Sequence, residues 1–173
     1  MKKALVVGFV ILCILALLLL VPLPLGATRV YSATVIQRPP DEVFNYVTTP
    51  GNWPRWHPSS LAVSGATDHS LALGEQVTED FSVAGVTGRA LWTVTLRQAP
   101  QQWAIDGKVE GGGSGRVTYK LTPDAHGTKF ERELVYSSNN LLFVIVNTLK
   151  LRSRIEAESA DALRRLKSVM EQG

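Results

Sequence analysis

The second half of the chain alternates apolar and polar residues over several segments, and this pattern restricts the fold to one based on an antiparallel sheet. In residues 89–97 one face is apolar, the inward set being Ala90, Trp92, Val94 and Leu96, and the outward set Arg89, Thr93, Thr95 and Arg97. The same period of two recurs in residues 103–110, 116–122 and 129–136. Such alternation is typical of antiparallel strands that have one covered face and one solvated face.

Turn residues separate these segments at short intervals. Ala99-Pro100 follows the first segment, the glycine-rich residues 111–115 follow the second, and residues 123–127 follow the third. Residues 29–37 are rich in β-branched and aromatic side chains and predict a further strand near the start of the domain. We therefore expect about seven strands in one antiparallel sheet.

A long amphipathic helix after the last strand is expected to cover the apolar face of the sheet. Asn139 or Asn140 is a suitable N-cap, and helical periodicity continues to about Gln172. The apolar stripe of this helix consists of Leu151, Ile155, Ala162, Leu163, Leu166, Val169 and Met170. Two further short helices are predicted within residues 38–58, where prolines favour helix starts.

The first 27 residues are much more apolar than the rest of the chain. Lys2 and Lys3 precede an apolar run over residues 4–21, which as a helix is roughly 27 Å long and close to the thickness of a bilayer's hydrocarbon core. The alternative is a cleavable signal peptide, but its apolar region is usually about 7–15 residues long. Cleavage after Ala27 would also place Leu25 where a small residue is preferred.

We therefore expect a single-pass anchor in residues 1–27 and one globular domain in residues 28–173. Lysines on the short N-terminal side favour an N-terminus inside the cell. This places the domain on the extracytoplasmic side of the cytoplasmic membrane, with the membrane as a partner through the N-terminal helix.

Composition and spacing argue against several kinds of site. Cys13 is the single cysteine and lies in the apolar leader, so the predicted domain has neither a disulfide nor a thiol nucleophile. His57, His69 and His126 are widely separated and form no metal-binding motif, so we expect no metal and no other cofactor. The formal net charge of +3 is not concentrated in a basic run, which gives no support for nucleic-acid binding.

The order of elements and several local motifs resemble the START-like (SRPBCC) superfamily, most closely its polyketide cyclase/dehydrase and lipid-transport branch. The motifs are Arg38-Pro39-Pro40-Asp41-Glu42-Val43-Phe44, Trp53-x-x-Trp56-His57-Pro58 and Gly127-Thr128-Lys129-Phe130. The resemblance covers about residues 29–172. It implies an α+β helix-grip fold, in which a curved antiparallel sheet of about seven strands surrounds a long C-terminal helix and leaves an apolar cavity. Family members bind lipids, sterols, polyketides or other hydrophobic molecules, and some are enzymes.

Aromatic side chains are the first candidates for lining such a cavity, because each offers a large rigid face. The candidate ligand-binding residues are Trp53, Trp56, Trp92, Trp103, Tyr119 and Phe143, joined by Arg132. The alternative for each aromatic residue is simple core filling, and Trp56 in particular is suited to plug the space beneath the short helices. Phe143 belongs to the apolar run 141–146, which either caps the cavity or packs against the sheet.

Charged and titratable residues at inward positions are the second group of candidates. Arg132 lies between Phe130 and Leu134, and Glu79 lies on a similarly apolar face, so each is a ligand anchor, half of a structural ion pair, or an edge residue turned outward by a register slip. As an anchor, Arg132 would hold the carboxylate or phosphate head of an amphiphile. His57 is a weak catalytic candidate, since a histidine can act as general acid or base, and the alternative is a partly exposed hydrogen-bonding residue.

Three functions are compatible with these features. The leading hypothesis is a membrane-tethered, non-catalytic binder or carrier of a hydrophobic small molecule that is lipid-like or polyketide-like. The second is an enzyme of the cyclase, hydratase or hydrolase type that uses His57, Glu79 and Tyr119. The third is a non-catalytic interaction module with a closed cavity and a protein partner that the sequence does not specify.

Overall fold

The computed structural model describes residues 2–21, 26–137 and 141–172. Its helical elements are α1 (Lys2–Leu20), α2 (Pro40–Thr48), a 3-10 turn (Pro50–Asn52), α3 (Trp53–Trp56), α4 (Leu141–Val146), a π-helical segment (Asn147–Leu151) and α5 (Arg152–Gln172). Its strands are β1 (Thr28–Ile36), β2 (Ser60–Gly65), β3 (Gln76–Val83), β4 (Val86–Gln98), β5 (Gln102–Val109), β6 (Ser114–Asp124) and β7 (Gly127–Ser137). The predicted α+β class is therefore confirmed.

All seven strands form one antiparallel sheet in the order β1-β7-β6-β5-β4-β3-β2. Strands β2 to β7 follow one another as hairpins, as the alternating pattern and its turn residues predict. Strand β1 pairs with β7 at one edge, Thr28 opposite Tyr136 and Ile36 opposite Thr128. The first and last strands of the chain, β1 and β7, thus lie side by side. The two short helices connect β1 at one edge of the sheet to β2 at the other.

The long C-terminal helix is confirmed, with one addition. Elements α4, the π-helical segment and α5 follow without a break over residues 141–172, and the expected N-cap residues Asn139 and Asn140 lie outside the described residues. The buried side of α5 consists of Ile155, Ser159, Ala162, Leu163, Leu166 and Met170. Val169, which the stripe included, is 37% exposed. The helix packs against β1 and α3 and covers the concave face of the sheet.

An aromatic cluster fills one end of the space between sheet and helix. Trp103 stacks on Tyr119 with ring centroids 5.2 Å apart, and Phe130 and Trp56 contact the same tyrosine at 5.0 and 6.4 Å. Helix α2 adds Val43, Phe44 and Val47 to this core. Large side chains therefore fill the space between sheet and helix at the α2 end. At the opposite end, this aromatic cluster does not occupy that space.

A β-bulge in β4 changes which side chains face inward near its end. The register between β4 and β5 shifts between Val94 and Leu96, so that Arg97 pairs with Trp103, a fully buried inward residue. The Arg97 guanidinium lies 5.3 Å from the centre of the Phe44 ring and its Nε donates to the Leu71 carbonyl at 3.1 Å. The prediction that Leu96 faces inward and Arg97 outward is wrong, because the extra residue reverses the alternation.

The prediction of a membrane anchor is also wrong. Within the described ranges, no helix has both the length and the apolar character that crossing a membrane requires. Residues 22–25 of the predicted leader lie outside the described residues. The predicted location, single-pass in the cytoplasmic membrane with the domain on the extracytoplasmic side, is therefore contradicted by this finding.

Candidate functional site

A cavity of about 520 Å³ lies between the concave face of the sheet and α5. Strands β3 to β7 form its walls, α3 and α5 cover it, and the glycine-rich β5–β6 turn borders it. Helix α5 does not fill the space beside this end of the sheet, so the inward residues here face open space. A concave, mostly apolar space of this size is typical of small-molecule sites, which occupy about 300–1,000 Å³.

The exposure of β7 residues shows how the cavity is oriented. Phe130 is fully buried and Arg132 is 5% exposed, whereas Leu134 and Tyr136 are half-buried. Across the sheet Arg132 pairs with Tyr119, and Tyr136 pairs with Gly115 in the β5–β6 hairpin. The cavity therefore runs along the strands from an inner end at Tyr119 and Arg132 to a mouth at this hairpin.

The structure brings most of the predicted site residues into this one cavity. Its lining includes Trp53, Trp56, His57, Glu79, Trp92, Tyr119, Arg132 and Phe143. Trp103 is not part of this lining, because it lies behind Tyr119 and is fully buried in the aromatic core. The sequence showed correctly that Trp103 faces inward, but its position in the core depends on α2 and α3.

Trp92 and Glu79 form a hydrogen-bonded pair on the cavity wall. Trp92 Nε1 donates to Glu79 Oε2 at 2.7 Å. The indole ring lies flat over Gly107, its partner on β5, since a Cβ built at that glycine would be 2.5 Å from the ring. Burial raises the pKa of the Glu79 carboxyl, while the Trp92 hydrogen bond and the Arg132 charge oppose that rise.

Arg132 is a buried cation at the inner end of the cavity. Its Nη1 donates to Ser159 Oγ on α5 at 3.2 Å, and its Nε has no hydrogen-bond partner among the described residues. No carboxylate of the described chain lies within ion-pair distance of its guanidinium. The structural ion pair considered for Arg132 is therefore not formed.

His57 and Tyr119 complete the polar group at the inner end. Burial lowers the pKa of His57 well below its usual range, and the Arg132 charge lowers it further, so the imidazole is neutral near pH 7. His57 Nε2 is buried and has no hydrogen-bond partner in the described part of the chain. Burial also raises the pKa of Tyr119 to about 12, which keeps its hydroxyl protonated.

Two residues of α5 belong to the site but were not predicted. Glu158 accepts from Ser59 Oγ at 2.8 Å and from the Ala84 backbone N–H at 2.9 Å, and so ties the β3–β4 turn to the helix. Ser159 binds Arg132 as described above. Helical spacing could have found Ser159, because it lies four residues after Ile155 on the apolar stripe.

The arrangement can bind an apolar molecule and exchange hydrogen bonds with one polar group on it. His57 can accept a proton, Tyr119 can donate a hydrogen bond, and Arg132 can hold a negative charge. Within residues 2–21, 26–137 and 141–172, the His, Cys, Asp and Glu side chains include no group of three that could hold a metal ion.

Comparison with solved structures supports the helix-grip fold. A conserved protein from Geobacillus kaustophilus is 14% identical, with a TM-score of 0.66 over 84% of this chain and 96% of that one. A protein from Rhodobacter sphaeroides is 18% identical, with a TM-score of 0.62 over 82% and 91%. DynU16, from the dynemicin biosynthetic locus, is 19% identical, with a TM-score of 0.58 over 84% of this chain and 48% of its own. At these identities the likeness shows the fold alone.

Sequence comparison identifies the family. No curated protein sequence is similar enough to this chain to count as a match. The family model described as polyketide cyclase/dehydrase and lipid transport matches residues 27–171, which include the whole sheet and nearly all of the long helix. The chain therefore belongs to the polyketide cyclase/dehydrase and lipid transport family.

Proposed function

We propose that this protein binds or carries a hydrophobic small molecule, lipid-like or polyketide-like, in the cavity beneath α5. The observation that carries this proposal is the apolar cavity of about 520 Å³ with its mouth beside the β5–β6 hairpin. Apolar burial is the main source of affinity in such a site, at about 25 cal/mol per Å² of apolar surface removed from water. The family's description, which includes lipid transport, supports the same conclusion.

The domain and the ligand contacts form part of this proposal. Residues 28–173 would make up the binding domain, in agreement with the extent of the family match. The proposed contacts are the aromatic residues Trp53, Trp56, Trp92, Tyr119 and Phe143 together with Arg132. Trp103 would act indirectly, by holding the Tyr119 ring in place through their stacked contact.

The test is to identify what the purified full-length chain contains and what it takes up. Organic extraction followed by mass spectrometry should give a reproducible apolar molecule. Added fatty acids or fluorescent lipid probes should raise the unfolding temperature, because a ligand at 100 times its Kd stabilises the native state by about 2.7 kcal/mol. An extract without any apolar molecule, together with no uptake of the probes, would contradict the proposal.

A catalytic role is the second candidate, and His57 is the observation that favours it. Its neutral imidazole has an unpartnered Nε2 at the inner end of the cavity, where it could remove a proton from a bound substrate. Tyr119 and Glu79 are the available proton donors in that reaction. If a bound molecule changes chemically with time, His57→Gln should abolish the change while leaving binding intact.

The third possibility is a protein-interaction module with a closed cavity, and the open cavity beneath the helix gives it less support. Its defining expectation was a filled space beneath the helix, whereas the structure contains an open cavity there. A ligand-free protein with no probe uptake would restore it.

A further inference from the structure

We propose that the ligand is an apolar acid whose carboxylate binds Arg132 at the inner end of the cavity, with its apolar part directed toward the mouth. This inference rests on the binding function proposed above and specifies the chemical class of the ligand.

The first observation is that Arg132 is a buried charge that forms no ion pair with a carboxylate of the described residues. Its side chain lines the cavity, is almost wholly buried, and donates from Nη1 to Ser159 Oγ, with the Tyr119 hydroxyl as a further hydrogen-bonding neighbour. Burying an ion costs several kcal/mol unless an opposite charge and hydrogen bonds compensate. The unpartnered Nε leaves a donor beside the Nη groups, and a guanidinium edge of this kind matches the two oxygens of a carboxylate.

The second observation is that the nearby acidic groups are engaged elsewhere. Glu79 accepts the hydrogen bond of Trp92, and Glu158 accepts those of Ser59 and the Ala84 backbone. Glu110, the remaining acidic residue of the lining, is exposed in the turn at the mouth. Among the described lining residues, Arg132 is the single arginine or lysine. An incoming anion is therefore the group that would neutralise it.

The third observation concerns the charge of the anion. A phosphate monoester carries about −1.5 to −2 charges near pH 7, which the single positive charge of Arg132 does not balance. A carboxylate carries one charge, so it fits this site better than a phosphate does.

The fourth observation is the gradient of polarity along the cavity. The polar groups His57, Tyr119 and Arg132 lie at the inner end, whereas Val86, Val109 and Phe143 line the outer part. A ligand that enters with its carboxylate first would place its apolar part against these side chains. A neutral hydrophobe would leave the Arg132 charge unpaired and should bind more weakly for that reason.

Three probes of equal chain length separate these possibilities. We would measure the affinity of the full-length chain for dodecanoic acid, dodecan-1-ol and dodecyl phosphate at one pH and one ionic strength. Dodecanoic acid should bind about tenfold or more tightly than dodecan-1-ol, because a hydrogen bond to a charged group is worth that factor or more. Arg132→Met should abolish the difference in affinity between dodecanoic acid and dodecan-1-ol.

The control is Arg116→Met, the same chemical change on the outer face of β6, where Arg116 is paired with Asp106. It should leave the affinities for all three probes as they are. Equal affinity of the wild-type chain for the acid and the alcohol would overturn the carboxylate site while leaving the binding function intact. Failure of every probe to bind would overturn the binding function as well. Stronger binding of dodecyl phosphate than of dodecanoic acid would overturn the assignment to a carboxylate.

A direct measurement on the wild-type protein avoids dependence on the variant's folding. In dodecanoic acid labelled with ¹³C at the carboxyl group, the chemical shift reports ionisation of the bound acid. Contact with the guanidinium should hold its pKa below that of the free acid. A bound pKa equal to or above the free value would show that the carboxyl group does not reach Arg132.

Discussion

At the scale of single residues, two glycines on neighbouring strands make room for aromatic rings that form the cavity wall. Gly88 lies opposite Phe81, and Gly107 lies opposite Trp92. At either glycine an added Cβ would come within 2.7 Å of the facing ring. The absence of a side chain at Gly88 and Gly107 therefore allows the two rings to lie where they do. Because Gly107 makes room for the Trp92 ring, it also allows the hydrogen bond from Trp92 to Glu79.

We predict that Gly107→Ala displaces the Trp92 ring and breaks its hydrogen bond to Glu79. The new methyl group would overlap the indole, and overpacking of this kind typically costs about 1–3 kcal/mol. Denaturant unfolding and tryptophan fluorescence would measure the loss of stability and the movement of the ring. Gly115→Ala is the matched control, because its Cβ would meet the same ring at an ordinary 3.6 Å. Equal effects of the two substitutions would contradict the prediction.

The neutral state of His57 gives a prediction about pH. Since the pKa of His57 is lowered in the folded state, the unfolded chain binds the additional proton first as the pH falls below about 6.5. Stability should therefore decrease as the pH falls from that value toward the folded-state pKa, with a contribution of up to about 1.4 kcal/mol per pH unit. The other titratable or charged residues that face this part of the cavity are Glu79, Tyr119, Arg132 and Glu158. They are the same in the wild type and in a His57 variant, so they do not contribute to the difference between the two proteins.

The measurement is the free energy of unfolding of the wild type and of His57→Gln at several pH values between 5 and 8. The slope on the acidic side should be smaller in the variant. His126→Gln provides the control, because the His126 side chain is 81% exposed in the β6–β7 turn. A slope that is unchanged by His57→Gln would show that this imidazole does not account for the pH dependence.

At the scale of elements, the π-helical segment joins one end of the paired strands β1 and β7 to the long helix. Asn147 is buried, accepts from Tyr136 Oη on β7 at 2.6 Å and donates from Nδ2 to Thr28 Oγ1 on β1 at 2.8 Å. A π-helical turn inserts an additional residue per turn and changes the direction of the side chains that follow. Here it turns the Asn147 amide toward the paired strands β1 and β7.

We predict that Asn147→Ala loosens the segment 141–151 beside the cavity mouth. The substitution leaves Tyr136 and Thr28 without this partner, and an unsatisfied buried polar group costs about 1–3 kcal/mol. Hydrogen exchange should become faster in residues 141–151 and stay nearly unchanged in β5 and β6. Thr148→Ala is the control, since Thr148 is exposed and bonds only locally to the Val144 carbonyl. Uniformly faster exchange across the sheet would contradict a local role.

At the scale of the whole molecule, the cavity results from the way that the sheet and helix are packed. Helices α2 and α3 and the aromatic cluster fill one end, while α5 covers the other without filling it. A cavity that binds a ligand is thus compatible with a stable core, because most large buried side chains lie outside it.

We predict that Val117→Phe fills part of the cavity and weakens binding without unfolding the protein. Val117 is buried on β6 and lines the cavity, so the larger ring enters space that the ligand would use. Affinity for a bound apolar probe should fall about tenfold or more, while the free energy of unfolding of the ligand-free protein stays within about 1 kcal/mol. Leu91→Phe, on the outer face and 42% exposed, is the control. Undiminished affinity in Val117→Phe would place the ligand elsewhere.

Much of the fold could be predicted because local periodicity survives folding. The alternating segments predicted the seven-stranded sheet, and the inward positions of Glu79, Trp92, Tyr119 and Arg132 followed from the same pattern. The bulge in β4 escaped prediction because Leu96 continues the alternation in the sequence while the backbone has already shifted. The membrane anchor was predicted from the apolar composition of residues 4–21, whereas no helix among the described residues has the length and apolar character that a membrane crossing requires.

The sequence by itself determined the order of the elements and most of the inward-facing residues, because both depend on spacing along the chain. The tertiary structure decided which inward residues face a cavity and which fill the core: Trp103 and Tyr119 share a face, yet the described cavity lining includes only Tyr119. The hydrogen bond from Arg132 to Ser159 also depends on the tertiary structure, because it joins β7 to a helical residue 27 positions further along the chain. Contacts between distant segments depend on how the sheet curves around α5, and no local pattern encodes that curvature.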